Sequence, residues 1–480
     1  MINKTIDYIK KLLKISELKS KFFIFLVLTI LASFIDVINL ALIIPIVGIV
    51  IGEAAESNLE NIPFLNSYYS SLSDEIVILL FVIFFLLKSF FAIYIYKKIV
   101  EIKVNLQAKI RIDLLKKYQL IDHSDFISKG SSYYIHNITS LVQLYSNGLL
   151  SLLRFITELL VIIGIMIYFI IFFGLKIIPA ILISLLILFL YQLLFKKKII
   201  NIAKKINDDS KSLIQVIKEM VMGIKEIKIA KKQLYFENLV AKKAKNLARN
   251  NLIFEIITFS PRYLIESIFV LFFFGFIFFN LDTFKNSDIS IIYSISTFLY
   301  AAVRLIPSLS VMSRSLTIMN NSVVATNILF EDLYKKTTPI KNYIDIKKVG
   351  EWKFNNIKFN NVSFGYSSKN IFLNNLNFEI NHGDKVLLFG KSGSGKSTIA
   401  DLSLGFYYPI DGEITINGKE SDYENLRSNS YYLSQNKILF NDTIFNNIIL
   451  NEKLNFYDDL NLNQKKLYQK ALEISGLDEF

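Results

Sequence analysis

The stretch Gly390-Lys391-Ser392-Gly393-Ser394-Gly395-Lys396-Ser397-Thr398 has the G-x-x-x-x-G-K-[ST] spacing that cradles a nucleoside triphosphate. Glycines let the backbone turn its N–H groups toward phosphate oxygens, and a helix beginning at the lysine adds its positive end. In that chemistry Lys396 neutralises the β- and γ-phosphates and Ser397 ligates Mg²⁺. The flanks agree. Val386-Leu387-Leu388-Phe389 reads as an apolar strand before the loop, and Ile399-Ala400-Asp401-Leu402-Ser403-Leu404 has helical spacing after it. Gly390, Ser392, Gly393, Ser394, Gly395, Lys396, Ser397 and Thr398 are therefore the expected contacts of ATP.

A second set of reactive side chains lies where charge is costly. Asp36, Lys88, Arg154, Glu158, Glu255, Arg262, Glu266 and Arg304 all fall within or at the ends of long apolar stretches, where ionisable groups default to function. Arg154 with Glu158, and Arg262 with Glu266, are four apart on one helix face and can pair. Lys88, Arg262 and Arg304 form a more pointed set. At about 1.5 Å per residue, Lys88 and Arg262 lie roughly 12–15 Å from the basic-flanked ends of their stretches. Arg304 stands far along its own. Three cations at one depth repel unless an anion joins them, and a lipid phosphate or pyrophosphate would do so through charge-assisted hydrogen bonds.

The elements that must carry these groups are of two kinds. The chain has 480 residues, 52% of them apolar, with a mean hydropathy of +0.42, too greasy for one soluble domain and long enough for two or three. Six apolar stretches reach the length of about 20 residues that crosses a bilayer. They run from Phe22 to Gly52, Ile76 to Tyr96, Leu149 to Phe173, Leu175 to Phe195, Leu252 to Phe279 and Ile289 to Pro307. Lysines precede the first, and 97–146 and 196–251 are rich in Lys and Arg, whereas Glu53 to Glu75 carries five acids and no Lys or Arg. The positive-inside rule then makes the N-terminus and both basic segments cytoplasmic. Those segments read as long helical hairpins, with tips at His123-Ser124-Asp125-Phe126 and Gly223-Ile224-Lys225-Glu226. The Ile6, Ile9, Leu12, Leu13 stripe among lysines reads as an interfacial helix. Glu331 to Gly350, polar and holding Pro339, reads as a linker, and beyond Glu351 a soluble α/β domain follows.

Net charge is +13. The basic residues cluster beside apolar stretches, so membrane topology accounts for them and no nucleic-acid partner is expected. With no cysteine there is no disulfide or thiol chemistry. His123, His136 and His382 are too scattered for an expected zinc site.

Six spans, two cytoplasmic hairpins and a C-terminal phosphate-loop domain together resemble an ABC exporter half-transporter. Val362-Ser363-Phe364-Gly365-Tyr366 and Tyr432-Leu433-Ser434-Gln435, followed by Leu439-Phe440-Asn441-Asp442-Thr443-Ile444, carry the resemblance further. By itself a tyrosine in a strand is usually packing; the resemblance implies that Tyr366 stacks on adenine and that Gln435 touches Mg²⁺ and the attacking water. It also implies the fold: an all-α six-helix membrane domain over 1–330, a linker over 331–350 and the first part of an α/β nucleotide-binding domain over 351–480. The family's LSGGQ signature, its Walker B strand and its switch histidine do not occur before Phe480. The expectation is an amino-terminal fragment or truncated frame that contacts ATP and Mg²⁺ while lacking groups for hydrolysis.

The stretches Ser260-Pro261-Arg262-Tyr263 and Arg304-Leu305-Ile306-Pro307-Ser308 are similar to the lipid-linked oligosaccharide flippase branch. That similarity implies a polyprenyl-phosphate-linked glycan bound by Lys88, Arg262 and Arg304, with lysine at 88 where the branch has arginine. It further implies a second half-transporter, a homodimer in the full-length form, in the cytoplasmic membrane. The competing expectations are an exporter of a drug, peptide or other lipid, and a non-hydrolysing membrane protein that binds nucleotide.

Overall fold

A computed structural model describes residues 2–16, 19–42, 46, 49, 73–121, 123–173, 178–279, 289–334, 352–366, 370–420, 423–434, 439–450, 454 and 456–479. It divides into two compact units, Met1–Tyr343 and Ile344–Phe480.

Between its turns, the first unit is helical where it is described. Helix α1 covers Ile2–Ser16, α2 Lys19–Ala41, α3 Asp74–Gln119, α4 His123–Lys129 and α5 Ser131–His136. A π-helical turn over Asn137–Leu141 leads into α6, Val142–Phe173. Then come α7, Ile178–Met222, α8, Ile224–Ile229, α9, Gln233–Phe279, and α10, Ile289–Tyr334. Helix α3 has 46 residues, which at 1.5 Å each is about 70 Å. That is more than twice a bilayer's hydrocarbon thickness, so its basic second half must continue into water. Among the described residues, the helical stretches Glu75–Gln119, Ser131–Tyr168 and Gln233–Gly275 are long and apolar enough to cross a membrane, and Phe25–Leu40 is a shorter apolar helix. The acidic connection 53–72 lies outside the described residues.

Four apolar cores hold the described helices together, and two of them are large. One gathers Leu106, Ile110 and Leu114 of α3, Tyr145 and Leu149 of α6, and Leu329 of α10 around Tyr8, Leu12 and Ile15 of α1. The expected interfacial helix is therefore docked: its buried face is Tyr8-Leu12-Ile15, while Ile6 and Leu13 are exposed. Gly148 permits the close approach, since a Cβ there would collide with the Ser322 hydroxyl and crowd the Tyr8 phenol. The second core joins Leu40 of α2, Val161, Ile162 and Ile165 of α6, Ile265 of α9, and Leu305 and Leu309 of α10.

The hairpin tips differ from simple turns. His123–Lys129 is itself a helix, and the bend falls just before it, at Leu120 and Ile121. At the other tip Gly223 is followed by one short helix before the chain reverses at Ala230 to Lys232. The segment expected as a linker from residue 331 begins later, because α10 runs on to Tyr334. Asp332 explains the extension: its carboxylate accepts from the Tyr118 hydroxyl at 2.7 Å, the Asn137 amide at 2.9 Å and the Tyr133 hydroxyl at 3.2 Å. Lys117 also donates to the Leu333 carbonyl at 2.7 Å. A turn held on four sides stays helical. Residues 335–350 lie outside the described residues.

In the second unit, β1, Asn356–Phe364, lies between β2, Leu373–Asn381, and β3, Asp411–Ile416, with β4, Lys419–Glu420, beyond β3. All pairings are antiparallel. Alternation along β1 sends Ile357 and Phe359 into a core with Val362, Leu402, Tyr407, Ile414 and Ile416, and Phe359 stacks on Phe378 across the ladder at 4.2 Å. Helix α11, Lys396–Ser403, follows the phosphate loop. The strand expected at Val386–Phe389 is not formed: these residues are exposed, with no strand pairing among the described residues. An apolar run becomes a strand only when a neighbour pairs its backbone groups, and no described strand pairs with this one.

Candidate functional site

The phosphate loop has the backbone its glycines allow. Gly393 and Gly395 sit at φ 81° and 90°, in the left-handed region where a side chain is strained. Gly395 caps the N-terminus of α11, whose first turn leaves backbone donors free for an anion. The Lys396 ammonium folds over the loop and donates to the carbonyls of Lys391 at 2.8 Å and Gly390 at 2.9 Å. Ser392, Gly393 and Ser397 are exposed, whereas Thr398 is buried. The Thr398 hydroxyl lies 2.9 Å from the Tyr366 hydroxyl, so the bend just after β1 is tied to α11.

Tyr366 is 66% exposed and belongs to an aromatic group. Its ring stacks on Phe372 at 5.4 Å and meets Tyr407 edge-on at 5.4 Å. Burial, with help from Tyr366 and Asp401, pushes the Tyr407 phenol up. Phe372 and Tyr407 thus brace a flat platform beside the phosphate loop. Neither carries a sequence signal, since each reads as ordinary packing. The loop donors, Lys396, Ser397 and the Tyr366 ring together fit a nucleoside triphosphate. Gln435 lies outside the described residues.

The cations of the first unit are arranged differently from the expected trio. Asp36 of α2, with a side chain only 4% exposed, bridges two of them: its Oδ1 lies 2.8 Å from the Lys88 ammonium of α3, and its Oδ2 2.6 Å from Arg304 Nη2 of α10. The anion expected between the cations is thus supplied by the chain itself, because a charge in this apolar setting needs a partner. Arg262 takes no part. It is 63% exposed on its side chain and pairs with Glu266 one turn away at 2.8 Å. Arg154 does not pair with Glu158; its guanidinium lies 5.2 Å from the Tyr96 ring centroid, leaving Glu158 Oε2 buried without a hydrogen-bond partner among the described residues. Reading the sequence places Asp36 among the costly charges. It cannot show that helices separated by more than 200 residues converge on it.

Comparison with known proteins agrees with this division. Residues 22–303, more than half of the chain, match the ABC transporter transmembrane region family, and residues 373–479 match the ABC transporter family. The heterocyst differentiation ATP-binding protein HepA of Nostoc is 33% identical over 166 residues, 32% of this chain and 26% of that protein. An ATP-dependent lipid A-core flippase of Haemophilus influenzae is 48% identical over 103 residues, 21% of this chain and 17% of that protein. The chain thus spans about a quarter or less of the length of these relatives. A solved structure of a bacterial Atm1-family ABC exporter with ATP bound superposes with a TM-score of 0.69, over 90% of this chain and 74% of that one. At 17% identity that likeness concerns the fold, a mostly helical exporter membrane domain joined to a sheet-containing nucleotide-binding region. With its apolar helices matched by one model and its phosphate loop by another, the chain belongs to the ABC transporter family.

Proposed function

We propose that the chain is one half of an ATP-driven exporter that moves a phosphate-bearing lipid, of the lipid-linked oligosaccharide type, across the cytoplasmic membrane. Lys396 and Ser397, with Gln435, attend ATP and Mg²⁺, and Tyr366 stacks on the base. The N-terminus and the nucleotide-binding region face the cytoplasm, and a second half-transporter, a copy of this one, completes the machine. The membrane domain extends through the end of α10 at Tyr334, and the nucleotide-binding domain runs over 351–480.

One observation carries the substrate reading. Two basic side chains on separate apolar helices converge at matched height: Lys88 lies 14 residues after the start of α3 and Arg304 15 residues after the start of α10. At 1.5 Å per residue both stand about 20 Å along their helices. With Asp36 between them the cluster keeps a net charge of one positive unit, a poor setting for an uncharged cargo and a good one for a phosphate. The relatives named lipid A-core flippases support a lipid as cargo.

The test reconstitutes the intact protein in proteoliposomes and measures ATP turnover with and without a polyprenyl diphosphate-linked glycan. Stimulation is expected, and replacing Lys88, Arg262 and Arg304 together with Ala removes it. Stimulation that survives the triple change would sink the phosphate-lipid reading and favour a drug, a peptide or another lipid as cargo.

A further inference from the structure

We infer that Asp36 is a built-in competitor of the substrate phosphate: its carboxylate holds Lys88 and Arg304 in place, and the phosphate must displace it to bind. This rests on the phosphate-lipid reading above and adds a regulatory residue that the expected trio of cations lacked.

The argument begins with the fork of Arg304. A guanidinium presents two parallel donors, Nε and one Nη, to an oxyanion. Here Asp36 takes Nη2 alone, while Arg304 Nε is buried without a hydrogen-bond partner among the described residues. A buried donor left unmade is costly, and an anion with more oxygens than a carboxylate could fill it. The single carboxylate is also divided: Oδ2 accepts from Arg304, while Oδ1 faces the Lys88 ammonium as an ion pair that lacks hydrogen-bond geometry. A phosphate brings enough acceptors to serve the ammonium and both guanidinium donors at once. The side chains of Lys88 and Arg304 are 21% and 28% exposed, against 4% for Asp36. The cations are therefore the more accessible partners and the carboxylate the enclosed one. Because Asp36, Lys88 and Arg304 stand on α2, α3 and α10, exchanging one anion for the other alters the contact that ties those three helices. A singly charged phosphate would bring the cluster from one positive unit to zero net charge.

The experiment measures binding of a radiolabelled polyprenyl phosphate to the intact protein in native membrane vesicles. The matching polyprenol, phosphatidic acid and inorganic phosphate are run alongside. Asp36→Asn removes the competitor and keeps the shape, so polyprenyl phosphate should bind at least about tenfold tighter, as expected when a buried charge loses its partner. Polyprenol should bind as before. A gain shared by phosphatidic acid assigns recognition to any lipid phosphate, and one shared by inorganic phosphate assigns it to the headgroup alone. If Asp36→Asn does not accumulate, Asp36→Asn with Lys88→Gln is compared with Lys88→Gln alone, and the pair should again bind tighter. Unchanged or weaker binding in either comparison, or an equal gain for polyprenol, overturns the proposal. If Lys88→Gln and Arg304→Gln also leave phosphate binding untouched, the phosphate-lipid reading itself has failed. If they weaken binding while Asp36→Asn does not strengthen it, only the competitor role has failed.

Discussion

Two lysines of this chain are held by acceptors of its own, and the acceptors differ in kind. Lys396 rests on two carbonyls of its own loop, within six residues. Lys88 rests on a full carboxylate from another helix, inside an apolar domain. Carbonyl dipoles near water release a cation easily, because solvent and any passing phosphate are ready substitutes. A buried carboxylate binds hard, since separation leaves both charges in a poor solvent. On the function proposed above, the first arrangement would keep a site ready and the second would make entry conditional on an exchange. The same residue type would then serve a common ligand in one region and a selective one in the other.

The sharpest way to break this contrast is to remove Asp36 altogether. Asp36→Ala strands two cations among apolar side chains and should lower stability by about 3 kcal/mol, read as a fall in thermal midpoint in detergent. Adding Lys88→Met should recover part of the loss, and strict additivity of the two changes would deny the coupling. Next in size, Lys396→Ala should weaken ATP labelling about a hundredfold while leaving the thermal midpoint nearly where it was, because only loop carbonyls lose a partner. A large fall in midpoint would make Lys396 structural and erase the difference between the two lysines. Tyr366→Ala should weaken nucleotide binding about fivefold, the size of one lost stacking contact, and Tyr366→Phe should cost less. Equal losses in both would assign the effect to the Thr398 hydrogen bond. Smallest of all, Arg262→Ala should leave the thermal midpoint unchanged, since its exposed pair with Glu266 lies within one helix turn. A marked drop would return Arg262 to the buried cluster.

Local spacing made some of this legible and distance hid the rest. The phosphate loop spans nine consecutive residues, and two of its three glycines, Gly393 and Gly395, stand where the backbone turns left-handed. The membrane helices could be read because their apolar runs are long. Asp36 could be flagged as costly, but its partners lie on other helices, and no local pattern encodes which helices meet. The same holds for α1, whose lysine-flanked stripe suits a bilayer surface as well as a protein groove. Its true face turns on Tyr8, a residue outside the apolar stripe. Val386–Phe389 failed in the opposite sense: the pattern is that of a strand, but a strand is a relation between segments. Arg154 and Glu158 had the right spacing to pair, and Tyr96, from another helix, won the guanidinium.

The docking of α1 bears on how the chain is made. The Tyr8 hydroxyl meets the Ser322 hydroxyl at 2.7 Å, across 314 positions of sequence. At about 5–20 residues per second, the ribosome needs about 15–60 s to supply that partner. Throughout that interval the newborn amino-terminal helix has a greasy side and no groove to put it in. Its lysines Lys4, Lys10, Lys11 and Lys14 suit the headgroups of the bilayer being entered. Amphipathicity there would suit two hosts in turn: a lipid surface during synthesis, and the protein groove in which the helix is found.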